Sequence, residues 1–242
     1  MRRWERICGG TALAVALLAG VPAGQARAVA ARAVKLRCEP NYDYAGVQEA
    51  RATSGIRAVV TTISPSVVRT GHVGAWLGVG GPGLGPSGSD EWLQVGYASF
   101  ASGQTQIYYE VTKPGRPTVY HTVKDRIPLG ESHLLTVLEV RGRPGSWRAW
   151  VDATPVTPVI ALAESHGRFA PLALGETWNA GSDECNGYGY RFTRLRTAKD
   201  LGGSWGRSAP GHVWHDRQNQ FLRLSPDSFV ARTTSPPEPS RR

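Results

Sequence analysis

Residues 91–97, with the sequence EWLQVGY, alternate between two kinds of side chain. Trp92, Gln94 and a glycine occupy the even-numbered positions, whereas the odd-numbered positions after Glu91 are all apolar or aromatic. Successive side chains of a β-strand point to opposite faces of the sheet. The segment therefore predicts a strand with one face in a hydrophobic core and a second face that carries an indole and an amide. The core-facing residues are Leu93, Val95 and Tyr97.

Three other segments alternate in the same way and carry aromatic or acidic side chains opposite their core-facing residues. These side chains are Tyr108 and Glu110 in residues 106–111, Trp76 in residues 73–79, and Glu176 and Trp178, with two leucines, in residues 171–179. Tryptophan on the outer side of several strands leaves a large apolar surface in water unless something covers it. Two interpretations stay open: a binding groove, or a cover formed by residues 198–230.

The distribution of turn-forming residues along the chain is typical of an all-β protein. Its 29 Gly and 17 Pro separate short β-type segments, and helical periodicity is nearly absent. Residues 80–89 (GGPGLGPSGS) are predicted to be a loop, and not a phosphate-binding one, because no Gly-Lys-Ser/Thr follows. Nine strands are predicted near residues 57–63, 72–79, 91–100, 105–112, 117–123, 132–141, 146–152, 170–178 and 187–196.

The predicted organisation is one domain with flanking segments. A lead at residues 29–56 precedes a β-sandwich domain at residues 57–197. Residues 198–231 form a C-terminal extension that packs on the sandwich. Residues 232–242 (RTTSPPEPSRR) lack the apolar side chains needed to offset the entropy of ordering, so a disordered tail is expected.

The first 28 residues have the three parts of a secretory signal. Three arginines lie within residues 1–6, residues 7–21 are apolar, and residues 26–28 (ARA) form a small-x-small cleavage pattern. We therefore expect a secreted, extracellular protein whose mature chain begins near Val29, with no membrane anchor after cleavage. An uncleaved anchor is the alternative. No later stretch reaches the roughly 18 apolar residues that a membrane span requires.

The chain is basic, with a formal net charge of +9 that falls to +6 when residues 1–28, with four Arg and one Glu, are removed. Its lysines and arginines are scattered and never form a run of five or more. This scatter is typical of a solvated cationic surface, and it disfavours a nucleic-acid partner.

The number and positions of the cysteines are consistent with a secreted protein. Cys8 lies inside the predicted signal, which leaves Cys38 and Cys185 in the mature chain. Two cysteines in an oxidising compartment most simply form one disulfide. Two unpaired thiols, or ligation of a metal by these two residues, are the alternatives.

Four short motifs follow one another in the chain: residues 76–80 (WLGVG), 93–96 (LQVG), 108–110 (YYE) and 175–178 (GETW). In this order they resemble the W-V-G-I-D, L-Q-x-G, aromatic-Y-E and A-E-W motifs of the glutamic peptidases, or eqolisins. Gly80 stands where that family has an aspartate, and Trp178 follows the acid one residue later than the family's tryptophan. The resemblance implies a concanavalin-A-like sandwich of two antiparallel sheets.

The resemblance also implies roles for individual residues. Glu176 would act as general base on a water molecule that attacks a peptide carbonyl, and the Gln94 amide would donate to the developing oxyanion. Such an enzyme would act on polypeptides, and it would need no cofactor or metal. The side chains expected to hold the substrate are Trp76, Trp92, Tyr108, Glu110 and Trp178.

Other functions remain possible from the residues alone. Exposed Trp and Tyr also stack on sugar rings, so a noncatalytic lectin that binds extracellular polysaccharide, or a structural secreted sandwich, is the alternative to a peptidase. A retaining glycosidase would need two carboxyls about 5 Å apart, for which Glu110 and Glu176 are the candidates. His212 and His215 are three residues apart but lack a third ligand at a zinc spacing. We expect a monomer.

Overall fold

The computed structural model describes Cys38 and residues 40–234. The predicted signal at residues 1–28 and the tail beyond residue 234 lie outside this part. A seven-stranded antiparallel sheet, which we call sheet A, forms one layer. Its strands, in spatial order, are β14 (Pro210–His215), β1 (Tyr42–Glu49), β11 (Leu172–Trp178), β3 (His72–Gly81), β4 (Glu91–Phe100), β5 (Thr105–Thr112) and β6 (Val119–Lys124).

Sheet B, the second layer, is also antiparallel. Its main path in spatial order is β10 (Ile160–Ala161), β8 (Ser146–Val151), β7 (Ser132–Glu139), β2 (Gly55–Val67), β12 (Gly187–Ala198), β16 (Ser228–Thr233) and β15 (Asn219–Ser225). Two short strands complete it, β9 (Thr154–Pro155) beside β8 and β13 (Trp205–Arg207) beside β12. The predicted fold class, an all-β sandwich of two antiparallel sheets, is confirmed.

The hydrophobic core lies between the sheets, on the predicted parity. Leu77 and Val95 of sheet A and Ile56 and Phe192 of sheet B are fully buried there. A separate small apolar cluster of Trp76, Leu172 and Leu174 lies on the opposite face of sheet A. The alternation in sequence thus sorts the side chains of sheet A into an inner and an outer face.

Both segments predicted to flank the sandwich contribute strands to it. The lead at residues 29–56 contains β1, which lies between β14 and β11 in sheet A. The extension at residues 198–231 does not cover the outer face of sheet A. It adds β14 to sheet A and β13, β15 and β16 to sheet B. The predicted tail begins too early as well, since β16 ends at Thr233.

Cys38 and Cys185 form the predicted disulfide, which joins positions 147 residues apart in sequence. The Cys38 backbone N–H also donates to the Asp183 carbonyl at 3.0 Å. The bond therefore fixes the segment before β1 to the loop before β12. No helix in the described part of the chain is long and apolar enough to cross a membrane.

Candidate functional site

A cavity of about 580 Å³ opens on the outer face of sheet A, and we call it the groove. Six of the seven predicted catalytic and substrate-binding side chains line it: Trp76, Trp92, Gln94, Tyr108, Glu110 and Glu176. The groove is also lined by Tyr42, Tyr44, Gln48, His72, Leu84, Leu93, Phe100, Tyr120, Leu172, Leu174 and Trp214.

Glycines at outward-facing positions of β3 and β4 make room for these large side chains. A Cβ on Gly78 would lie 3.0 Å from the Gln94 Cβ and 3.2 Å from the Trp76 ring. A Cβ on Gly96 would lie 2.5 Å from the Trp76 Cβ. Because Gly78 and Gly96 have no side chains, they leave room for the Trp76 side chain on the outer face of sheet A.

Glu176 is buried, with 6% of its surface exposed, and both of its carboxylate oxygens are hydrogen-bonded. The Trp76 indole Nε1 donates to Oε2 at 2.8 Å, and His72 Nε2 donates to Oε1 at 2.9 Å. These two donors satisfy a charge that burial would otherwise penalise. Both donors come from β3, the neighbouring strand on which Gly74 pairs with Glu176.

Glu110 has a similar indole partner but keeps one oxygen free. The Trp92 indole Nε1 donates to Oε1 at 2.8 Å, and no described residue donates to Oε2. Burial raises the pKa of the Glu110 carboxyl above its ordinary value. The Trp92 hydrogen bond lowers that pKa, and the negative charge of Glu176 raises it. Glu110 is therefore a partly desolvated acid with an acceptor open to the groove.

Gln94 points into the same groove as Glu176, but the two side chains have different partners. The Gln94 Nε2 donates to the Tyr108 hydroxyl oxygen at 3.0 Å. On the intervening strand β3, Gln94 pairs with Gly78 and Glu176 pairs with Gly74, four residues apart. With a rise of about 3.4 Å per residue and a strand spacing of about 4.8 Å, a flat sheet with this register would place their Cα atoms about 17 Å apart.

Leu172, and not Glu176, lies level with Gln94 on the other side of β3. Leu172 and Gln94 pair with Gly78 from its two sides, so both belong to one row across the sheet. Glu110 continues this row on β5, where it pairs with Gln94. The nearest carboxylate to Gln94 in the sheet register is thus Glu110 and not Glu176.

Trp178 is the one predicted substrate-binding residue that does not line the groove. Its ring stacks on Tyr42, with centroids 5.8 Å apart, and lies 5.3 Å from the His72 ring. Trp178 therefore packs against two residues that line the groove, one of which, His72, is hydrogen-bonded to Glu176.

Several groove residues were not predicted. His72 has the same parity as Trp76 on β3, so the alternation that located Trp76 could have located it. Tyr42 and Tyr44 lie in the segment predicted to be a lead, and Trp214 lies in the predicted extension. Tyr120 on β6 stacks on Tyr108 with centroids 4.7 Å apart.

The field in the groove is negative. Burial is the largest cause that raises the pKa of Tyr42, Tyr44 and Tyr108, and the charges of Glu176 and Glu110 raise all three further. Burial also raises the pKa of Tyr120 to about 12, with Glu110 and Glu176 among the contributing charges. These four hydroxyls remain protonated and uncharged at physiological pH.

Gly80, at the position of the family aspartate, has a conformation that a side chain would strain. Its φ is +84°, and a Cβ there would lie 2.1 Å from the Glu91 carbonyl oxygen. Only glycine adopts this backbone without cost at such a close approach. The groove therefore has no acid at this position.

The described residues offer no metal site at the histidine pair. His212 and His215 lie on β14, and the His212 ring packs edge-on against Trp214 with centroids 4.8 Å apart. Across Cys38 and residues 40–234, no group of three or more His, Cys, Asp or Glu side chains is arranged to hold a metal ion.

Comparison with known proteins gives distant structural neighbours only. No family model and no curated protein sequence matches the chain. Scytalido-glutamic peptidase bound to a peptide-based transition-state analogue is 14% identical, covers 80% of this chain and 98% of its own, and has a TM-score of 0.49. SCP-B, an eqolisin in complex with the tripeptide Ala-Ile-His, is 15% identical with the same coverage and a TM-score of 0.48.

Sheep galectin-11, in complex with glycerol, is also similar, at 15% identity, 62% coverage of this chain and 98% of its own, and a TM-score of 0.32. Because all these identities are low, the function is inferred from the groove itself.

Proposed function

We propose that this protein binds an extended segment of polypeptide in the groove of sheet A. The composition of the groove supports this proposal, because aromatic rings and aliphatic side chains surround a few fixed polar groups there. Ligand sites typically combine an apolar lining with a small number of placed polar groups that orient the ligand. Gln94 and Glu110 are such groups here.

The aliphatic part of the lining favours a polypeptide over a sugar. Leu84, Leu172 and Leu174 line the groove, and they offer no partner to a hydroxyl group. A sugar ring buried against them would leave hydroxyls without hydrogen bonds, which costs free energy. Apolar side chains of a peptide would instead gain free energy from the same contact.

Secretion is part of the proposal. The disulfide between Cys38 and Cys185 is typical of an oxidising compartment. Together with the signal-like sequence of residues 1–28, it supports an extracellular protein that meets its polypeptide outside the cell.

Hydrolysis of the bound polypeptide is a second candidate, favoured by the presence of Glu176 and Gln94 in one groove. Glu176 would take a proton from a water molecule as the oxygen of that water bonds to the peptide carbonyl carbon, and Gln94 would stabilise the oxyanion that forms. The carbon–nitrogen bond would then break as Glu176 passes the proton to the leaving amine. This mechanism requires both side chains to reach one reacting group. Their register and their separate hydrogen-bond partners make binding the function that the geometry supports better.

The binding test uses labelled lactalbumin that has been reduced and alkylated, with native lactalbumin as the folded control. We expect fluorescence anisotropy to show binding of the unfolded chain only. Tyr120→Ala removes an exposed wall of the groove and should weaken binding, whereas Val119→Ala, its exposed neighbour on β6, should not. No binding, or equal binding by both variants, would contradict the proposal. Binding of neutral oligosaccharides alone would favour the lectin.

The hydrolysis test incubates the same unfolded substrate with the protein from pH 2 to 7, beside Glu176→Gln. Cleavage that depends on acid and is lost in the variant would establish the second candidate. Binding without cleavage at any pH would leave a binding protein.

A further inference from the structure

We propose that the groove selects polypeptide segments that carry a basic side chain, Lys or Arg, whose cation lies against Glu110. This inference rests on the proposed binding of a polypeptide. It adds the chemical class of the residue that is recognised.

The first support is the sign of the charge in the groove. Its lining contains two carboxylates, those of Glu110 and Glu176, and no Lys or Arg. His72 is the one lining side chain that can carry a positive charge, and it is hydrogen-bonded to Glu176. The chain as a whole has a formal net charge of +9. An anionic groove in a basic protein is complementary to a cation and repels an acidic ligand.

The second support is the hydrogen bonding of the two carboxylates. Both oxygens of Glu176 accept hydrogen bonds from within the protein, so its charge is largely compensated where it lies. Glu110 is held through Oε1 by Trp92, and its Oε2 accepts no hydrogen bond from a described residue. A preorganised, partly buried acceptor of this kind forms a charge-assisted hydrogen bond with an ammonium or guanidinium group.

The third support is the set of rings around Glu110. Tyr120 pairs with Glu110 across β6 and β5, and its ring stacks on that of Tyr108. Tyr120 is 39% exposed, so a ligand can reach it. The indole of Trp92 lies on the other side of the carboxylate, within hydrogen-bond distance. Aromatic faces attract cations, and the aliphatic stem of Lys or Arg packs on the same surfaces.

The test compares short synthetic peptides that differ only at the central position, which is Lys, norleucine or Glu. Norleucine keeps the length of the Lys stem and removes the charge. Fluorescence anisotropy with the full chain at neutral pH should show that the Lys peptide binds about tenfold more tightly than the norleucine peptide, and the Glu peptide most weakly. Added salt should reduce the difference.

Three variants connect this preference to the groove. Glu110→Gln keeps the size of the side chain and should abolish the difference between Lys and norleucine. Glu164→Gln removes an exposed carboxylate that pairs with Arg168 outside the groove, and it should retain the difference. Circular dichroism of each variant checks that it is folded, and Tyr120→Ala checks that the peptides occupy the groove.

The outcomes separate this inference from the proposed function. Equal affinity for Lys and norleucine, with loss of both in Tyr120→Ala, would overturn the selection of a cation and leave the groove as a peptide site. A Lys preference that survives Glu110→Gln would also overturn it. If no peptide binds, both proposals are overturned. Binding of chitosan oligomers without binding of any peptide would overturn both as well.

Discussion

The Trp92 indole donates a hydrogen bond to Glu110 across 2.8 Å, between residues on the adjacent strands β4 and β5. A parallel arrangement joins Trp76 to Glu176 at the same distance between β3 and β11. Each carboxylate of the groove therefore has an indole donor on a neighbouring strand. The sequence pattern of tryptophan and glutamate on the outer parity of these strands has a direct structural meaning: the indoles stabilise the acids in a partly desolvated groove.

Trp92→Phe should move the pH dependence of cation binding. The Trp92 hydrogen bond lowers the pKa of Glu110, so its removal should raise that pKa further. The pH at which the Lys peptide gains affinity should then shift upward, as measured by anisotropy titrations at a series of pH values. Trp150→Phe, on the other sheet, is the control and should leave this pH unchanged. A downward shift in Trp92→Phe would contradict the assignment.

Trp76→Phe should destabilise the protein, because it removes one of the two donors to buried Glu176. The loss of a hydrogen bond to a buried charged group typically costs about 1–3 kcal/mol. Urea unfolding measures the free energy of unfolding of the variant and of Trp150→Phe, whose indole makes no hydrogen bond to a described residue. Equal effects of the two substitutions would show that the bond to Glu176 contributes little.

Glu110 should make the stability depend on pH in a defined direction. Its pKa is raised in the folded protein, so between the ordinary pKa of Glu and the raised value the folded state holds a proton that the unfolded state has released. The free energy of unfolding therefore decreases as pH rises through this window. In Glu110→Gln this part of the pH dependence should disappear. A wild-type stability that instead rises more steeply than that of the variant would contradict the raised pKa.

Gly80→Ala should cost much more stability than Gly88→Ala. Both glycines have positive φ, +84° and +76°, so alanine is strained at both. A Cβ at Gly80 would also meet the Glu91 carbonyl oxygen at 2.1 Å, whereas a Cβ at Gly88 would meet nothing within 4 Å. Thermal or urea unfolding of the pair isolates the effect of the close contact. Similar losses in both variants would mean that the backbone at Gly80 shifts easily.

Replacing Cys38 and Cys185 together by serine should lower the free energy of unfolding by about 2–5 kcal/mol, because the bond closes a loop across most of the described chain. Urea unfolding of the double variant and of the reduced wild-type protein should agree. A loss well below this range would indicate that the unfolded chain is already compact near these positions.

Alternation in sequence was sufficient to predict the two faces of the central strands of sheet A. Alternation did not predict β1 as a strand, because Gly46 and Gln48 interrupt the aromatic pattern on the outer face of residues 42–49. The segment also follows the signal-like region, and it was therefore assigned to the predicted lead. Yet Tyr42 and Tyr44 alternate there with buried Asp43 and Ala45. The strand gains its stability from pairing with both β11 and β14, which a single segment does not reveal.

The C-terminal strands were harder to predict for a different reason. β14 and β15 lie at the edges of sheets A and B, where burial is partial and the two-residue period is faint. The relation between Gln94 and Glu176 also depends on information that parity lacks. Parity places both on the outer face, whereas the register across β3 separates them by four residues and places Leu172 opposite Gln94.

Site-specific crosslinking tests the central claim, that the groove of sheet A holds an extended polypeptide, most directly. Reduced and alkylated lactalbumin carrying a photoreactive benzophenone is irradiated with the full chain, and mass spectrometry locates the crosslinked residues. We expect crosslinks to the exposed groove residues Tyr42, Leu84, Phe100 and Tyr120. Crosslinks confined to exposed apolar residues outside the groove, such as Leu129 and Leu224, would contradict it.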